Sequence, residues 1–211
     1  MKTISVLFLL CAAAFAQAPT GKIAILGGAS AGNSLGYQPG PRIAFDLDVG
    51  KGRWEFINRF LYDLSRKRGS SSFYTIDNKS IVRYGERFRF GAGLMLGRVT
   101  GNFGERSSVS PLLHIAYRQR SGIFPHGDTP TYDRWTVEPY LTARLGEFGN
   151  KTHSHSTRGA DIGVELSQRW GKNWGTKVDF GVTILSWINQ SETSRRSGSS
   201  PFGQGGVYYS W

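Results

Sequence analysis

Arg42-Ile43-Ala44-Phe45-Asp46-Leu47-Asp48-Val49-Gly50-Lys51-Gly52-Arg53-Trp54-Glu55-Phe56 is the stretch that decides the fold. Ile43, Phe45, Leu47 and Val49 alternate with Arg42, Ala44, Asp46 and Asp48. A period of two puts apolar side chains on one face of an extended strand and charged or small ones on the other. Gly50-Lys51-Gly52 is a tight hairpin signal. Beyond it Trp54, Phe56, Phe60 and Tyr62 alternate with Glu55, Ile57, Arg59, Leu61 and Asp63.

The pattern recurs along the chain. Its apolar sets are Phe88 to Leu96, Leu113 to Tyr117, Trp135 to Leu145, Ala160 to Leu166 and Val178 to Ile184, each interleaved with polar residues or glycine. No segment sustains a helical period, and no Pro/Ser-rich linker divides the chain. Strands are expected at 21–30, 41–49, 52–64, 71–77, 81–99, 107–119, 132–146, 157–169, 175–188 and 203–211. That makes ten; if 71–77 is loop, the first strand goes with it and the even count is eight. Pro111 and Pro139 fall inside expected strands, where they cannot donate to a ladder, and so predict bulges, strand ends or a shifted register.

The N-terminus sets the compartment. Met1-Lys2-Thr3 is a short positive segment, and the apolar run 4–16 ends in small residues. This is the layout of a secretory signal peptide, with a run too short to span a membrane as a helix. Cleavage after Ala16 is expected, because a cut after Ala18 would put Pro19 next to the scissile bond. Cys11 is preceded by Leu10, which does not suit a lipoprotein site, and it is lost with the signal. The expected division is therefore a signal peptide at 1–16 and one domain at 17–211. That domain has no cysteine, so its fold must be stable without disulfides. With 28 glycines and 13% aromatics, composition favours strands and tight turns. The net charge of +11 would suit nucleic acid, but export points instead to an anionic membrane surface and to no nucleic-acid partner.

Alternation does not say which face is wet. Three observations favour lipid on the apolar face. The polar faces carry matched charge, with Arg42, Arg59, Arg87, Arg89, Arg118, Arg144, Arg169 and Lys177 against Asp46, Asp48, Glu55, Asp63, Glu138, Asp161, Glu165 and Asp179. Trp54, Trp135, Trp174 and Trp187 fall near strand ends, where aromatic girdles meet the membrane interface. The sequence also closes on Gly205-Gly206-Val207-Tyr208-Tyr209-Ser210-Trp211, in which Val207, Tyr209 and Trp211 alternate up to an aromatic residue. Together these features resemble the bacterial outer-membrane β-barrel superfamily, among its small OmpA-like and Opa-like members of eight to ten strands. The resemblance implies an all-β, single antiparallel up-and-down transmembrane barrel in the outer membrane. It also implies recognition of Val207, Tyr209 and Trp211 by the barrel-assembly machinery, and a monomer.

The breaks at 31–40, 65–70, 100–106, 147–156 and 189–202 are then expected outside the cell. They carry or flank Arg66, Lys67, Arg68, Arg98, Arg106, Lys151, Arg158, Arg195 and Arg196, which predicts a basic rim on lipopolysaccharide phosphates. Inside, Arg87, Arg89, Glu138, Arg144, Asp161, Glu165, Arg169, Lys177 and Asp179 are expected to form a charge network that plugs the barrel. Thr152-His153-Ser154-His155-Ser156 is the one cluster that looks chemical; His153 or His155 with Glu165 would be the candidates for a catalytic site. Outer-membrane lipid A deacylases use a Ser/His/Glu triad near a His-x-Ser motif, and this spacing does not match it. His114 reads as an interior hydrogen-bonded residue, and His126 as turn. No metal or cofactor is expected. The favoured role is structural or surface-interacting, with a lipid A-modifying enzyme, a small diffusion channel and a soluble periplasmic ligand-binding barrel as alternatives.

Overall fold

The computed structural model describes residues 19–31, 39–68, 71–101, 104–120, 135–146, 148–149, 155–170, 172–189 and 195–211. The expected signal peptide and Lys151 and His153 lie outside them. Ten long strands are present: β1 (Thr20–Ser30), β2 (Gly40–Lys51), β3 (Trp54–Arg68), β4 (Ser71–Tyr84), β5 (Phe88–Gly101), β6 (Gly104–Tyr117), β7 (Trp135–Arg144), β8 (His155–Arg169), β9 (Trp174–Asn189) and β10 (Arg195–Ser210). Each pairs antiparallel with the next. β10 returns to β1 from Lys22↔Ser210 to Ser30↔Phe202, which closes the sheet. Two short pieces, Gln119–Arg120 and Phe148–Gly149, extend the β6–β7 seam at its two ends.

The strand alternation is resolved inside out. On the outer face Phe88 and Phe90 are 63% and 58% exposed, and Ile25 is 55% exposed. In the lumen Lys177 and Asp179 are at 1% and 0%. An apolar exterior around a charged interior excludes the soluble ligand-binding barrel, whose apolar face would point inward. At the near rim, where β1 begins, cross-strand aromatic pairs ring the outside: Trp54–Tyr84, Phe88–Tyr117 and Trp174–Tyr209, with centroids 4.9, 4.8 and 5.2 Å apart. Aromatic rings with polar edges suit this interfacial level.

Several boundaries differ from expectation. The stretch 81–99 is two strands, because the chain reverses at 85–87, and β4 therefore runs on past 77. Gly85, at φ +134, makes that reversal. Residues 65–68 and 195–202, expected as loop, are strand. β3 reaches Arg68 through a register shift between Asp63 and Arg66. Pro139 is tolerated within β7 because the β6–β7 ladder lapses beside it, between Ala116↔Tyr140 and Gln119↔Val137. Pro111 sits just past the last β6–β7 pair of that run, Leu112↔Arg144, and its carbonyl accepts from the Leu145 amide at 3.1 Å.

Candidate functional site

Strand parity carries the ionic side chains into the lumen. Lys22, Arg42, Arg59, Lys79, Arg83, Arg89, Arg118, Arg144 and Lys177 meet Asp46, Asp48, Glu55, Asp63, Asp77, Glu138, Asp161, Glu165 and Asp179 there, nine of each sign among the described residues. The central knot forms around Lys177, whose Nζ lies 2.7 Å from Asp46 and 2.8 Å from Glu165. Arg59 forks onto Asp46 with two hydrogen bonds of 2.7 Å and reaches Asp179 with its other nitrogen. Asp179 also accepts from the Tyr140 hydroxyl at 2.9 Å and from Gln204 at 3.0 Å. Lys22 joins the knot at 3.4 Å from Asp48 and 3.5 Å from Glu165.

Toward the near rim a second knot gathers Arg83, Arg89 and Arg118 on Glu55 and Glu138. His114 lies against it, 3.3 Å from Arg83 and 2.9 Å from the Thr142 hydroxyl. A third pair, Lys79–Asp161, is braced by Thr183 at 2.8 Å. Nearer the far rim Arg42 faces Asp63 at 3.4 Å and stacks over the Phe202 ring at 4.7 Å.

Three pairs span the lumen. Arg59–Glu165, at 3.6 Å, joins β3 to β8 with four strands between them either way round. Between β3 and β9, joined by Arg59–Asp179, the shorter way round the sheet passes β10, β1 and β2. Between β4 and β8, joined by Lys79–Asp161, it passes β5, β6 and β7. Pairs that skip three or four strands must run through the interior.

Closed sheet, even strand count, lipid-facing apolar belt, aromatic ring and paired interior now stand together. The architecture is that of a small outer-membrane β-barrel.

The charges expected in the lumen are partly brought together. Arg89, Glu138, Arg144, Asp161, Glu165, Lys177 and Asp179 face it, with Arg144 donating to the Met95 sulfur at 3.1 Å. Arg87 instead lies exposed in the turn before β5, and Arg169 is exposed at the end of β8, donating to the Lys172 carbonyl. Lys22, Lys79, Arg83 and Asp77 belong to the interior although sequence reasoning left them out of it. His155 and Glu165 do not form a site. Ten residues of continuous β8 separate them, about 33 Å of extended chain, and Glu165 is engaged by Lys177, Lys22 and Arg59. Among the described residues no three His, Cys, Asp or Glu side chains gather as a metal site.

The backbone carries the expected rim residues to one end. Arg66, Lys67, Arg68, Arg98, Arg106, Arg158, Arg195 and Arg196 all lie at or near the far ends of their strands, against Glu105 alone among the described acids there. The excess is not confined to that end: the near rim has Lys51, Arg53, Arg87, Arg120, Arg169 and Lys172 against Glu86. Val207 and Tyr209 are exposed on the outer face of β10 and Trp211 is exposed just beyond it, while Tyr208 is buried.

No family model and no curated protein matches the chain. Among solved structures it is similar to Neisserial surface protein A, with 15% identity over 92% of this chain and 99% of that one, at a TM-score of 0.40. It is also similar to the β-domain of the Bordetella autotransporter BrkA, with 13% identity, 92% and 99% coverage and a TM-score of 0.46. A third is the translocator domain of the autotransporter NalP from Neisseria meningitidis, with 14% identity, 99% and 95% coverage and a TM-score of 0.41.

Proposed function

We propose that this barrel is a non-conducting surface protein, structural or surface-interacting, whose far rim engages the phosphates of lipopolysaccharide. The observation that carries this reading is where the charge goes. The lumen cancels its own charges, so the net positive charge of the chain falls to the rims. At the far rim the strands bring together eight basic residues and one acidic one among the described residues. Arginine forks and lysine ammonium groups at a membrane surface are suited to phosphate, and each contributes about 1 kcal/mol to attraction by an anionic leaflet.

The test replaces Arg66, Lys67, Arg68, Arg195 and Arg196 together with Gln and measures lipopolysaccharide binding by the barrel in micelles. Binding should weaken at least about tenfold, since removing even part of five such contacts exceeds 1.4 kcal/mol. Unchanged binding would remove lipopolysaccharide from the proposal.

A further inference from the structure

Three polar side chains stand in the lipid-facing belt. Asn58 of β3 and Asn78 and Ser80 of β4 point outward, because Arg59 and Lys79, their neighbours in sequence, point into the lumen. In the paired register they sit among apolar residues. Leu47 lies beside Asn58, Leu94 beside Ser80 and Leu96 beside Asn78. Phe56 and Phe60 flank Asn58 along its own strand, as Ile76 and Val82 flank the other two. The cluster falls between the near girdle at Trp54–Tyr84 and a second aromatic pair, Tyr62–Tyr74, with centroids 5.7 Å apart. It is therefore within the hydrocarbon, where no water can satisfy a polar group.

The three side chains bond one another. Asn58 Nδ2 donates to Asn78 Oδ1 at 3.0 Å and to Ser80 Oγ at 2.8 Å. Asn78 Nδ2 donates to Asn58 Oδ1 at 3.3 Å, and the Ser80 hydroxyl donates to Asn78 Oδ1 at 3.3 Å. Counting donors and acceptors, this uses both N–H groups of Asn58 but only one of Asn78, and only one lone pair of Asn58 Oδ1. The cluster thus presents one further donor, on Asn78, and two further acceptor positions, on Asn58 Oδ1 and Ser80 Oγ, to the membrane. Beside it, across β4 to β6, the outer wall is hollowed into a groove of about 400 Å³ whose outward liners are Ile76, Asn78, Leu96, Arg98, Ser107 and Val109.

We propose that this face, centred on β3 and β4, is the interface between two copies of the chain lying side by side in the membrane. An acyl chain can fill a groove, but it has nothing to offer an amide. A second copy does: a two-fold axis along the membrane normal sets the patch against itself, with the Asn78 N–H of each copy facing the Asn58 oxygen of the other. That self-complementarity is what a two-fold interface requires. Polar side chains act as glue between membrane segments in the same way. The pairing replaces the monomer expected from sequence and does not depend on the lipopolysaccharide reading.

The test is association in micelles and vesicles. Light scattering should find a dimer at high protein-to-detergent ratio, and Asn58→Leu with Asn78→Leu and Ser80→Ala should weaken it by about tenfold while the unboiled band keeps its fast electrophoretic mobility. If that variant does not fold, Ser80→Cys in a Cys11→Ser chain decides the matter. Mild oxidation in vesicles should link two copies through Ser80→Cys, and not through Phe180→Cys on β9. A wild-type chain that stays monomeric at every ratio, a variant that still dimerises as well, or equal cross-linking at both positions would overturn the proposal.

Discussion

Lys177 is a buried base shared among three carboxylates. Its ammonium group is 1% exposed and held by Asp46 and Glu165 at 2.7 and 2.8 Å. Replacing it with Met leaves four carboxylates, Asp46, Asp48, Glu165 and Asp179, with only Arg59 and Lys22 against them. Stripping one partner from a buried ionic cluster costs about 3–5 kcal/mol, because the remaining charge stays desolvated. Lys177→Met and Glu138→Leu should each lower the urea midpoint of the refolded barrel by that order, and Arg195→Gln should leave it unchanged. Equal effects from all three would mean that lumen and surface have been exchanged. The inward position of Lys177 is legible in the sequence, since Lys177, Asp179 and Gly181 alternate strictly with Val178, Phe180 and Val182. That of Lys79 is not, because 78–80 falls between expected strands, and Arg83 lies in the expected strand 81–99 but ahead of the alternation read there from Phe88. Arg87 and Arg169 err the other way. They have the parity of lumen residues in β5 and β8, but parity assigns a face only within a strand and says nothing about where the strand ends.

At the level of elements, the turns decide what can be read. Across Gly50-Lys51-Gly52 the inward positions switch from even numbers in β2 to odd numbers in β3, so the hairpin announces itself as a break in phase. Across 85–87 they are odd on both sides, with Arg83 and Arg89 both inward, and the alternation passes through without a mark. The reversal there rests on Gly85, whose φ of +134 is open to glycine and closed to residues with a side chain. A Cβ on it would lie 1.9 Å from the Phe88 carbonyl oxygen, whereas one on Gly52, at φ +59, would meet nothing. Gly52→Ala should therefore cost only the left-handed penalty of about 1–2 kcal/mol, and Gly85→Ala clearly more, when unfolding midpoints are compared in one detergent. A smaller effect at Gly85 would mean that its turn relaxes freely. The start of β10 was hidden for another reason. Ser197, Ser199, Pro201 and Gly203 face outward and Gly198 and Ser200 inward, so neither face supplies a hydrophobic period to detect.

For the whole molecule, closure and occlusion are separate properties with separate determinants. Closure belongs to the backbone: the β1–β10 ladder joins first strand to last and leaves no open sheet edge. Occlusion belongs to the side chains that cross the lumen, Arg59 to Asp179 and Glu165 and Lys79 to Asp161. Removing Arg59 with Asp179 and Lys79 with Asp161 leaves the net charge of the interior unchanged, and Asp46 and Glu165 keep Lys177. The quadruple variant Arg59→Ser, Asp179→Ser, Lys79→Ser and Asp161→Ser should then remain a closed barrel while losing its cross-members. In planar bilayers the wild-type chain is expected to give no steady channels and the variant discrete conductance steps, while both, unboiled, migrate faster on SDS electrophoresis than their boiled chains. Steady conductance from the wild type would show that ions pass around the network, and a variant that is folded yet silent would assign occlusion to the side chains left in place around Lys177 and Glu55.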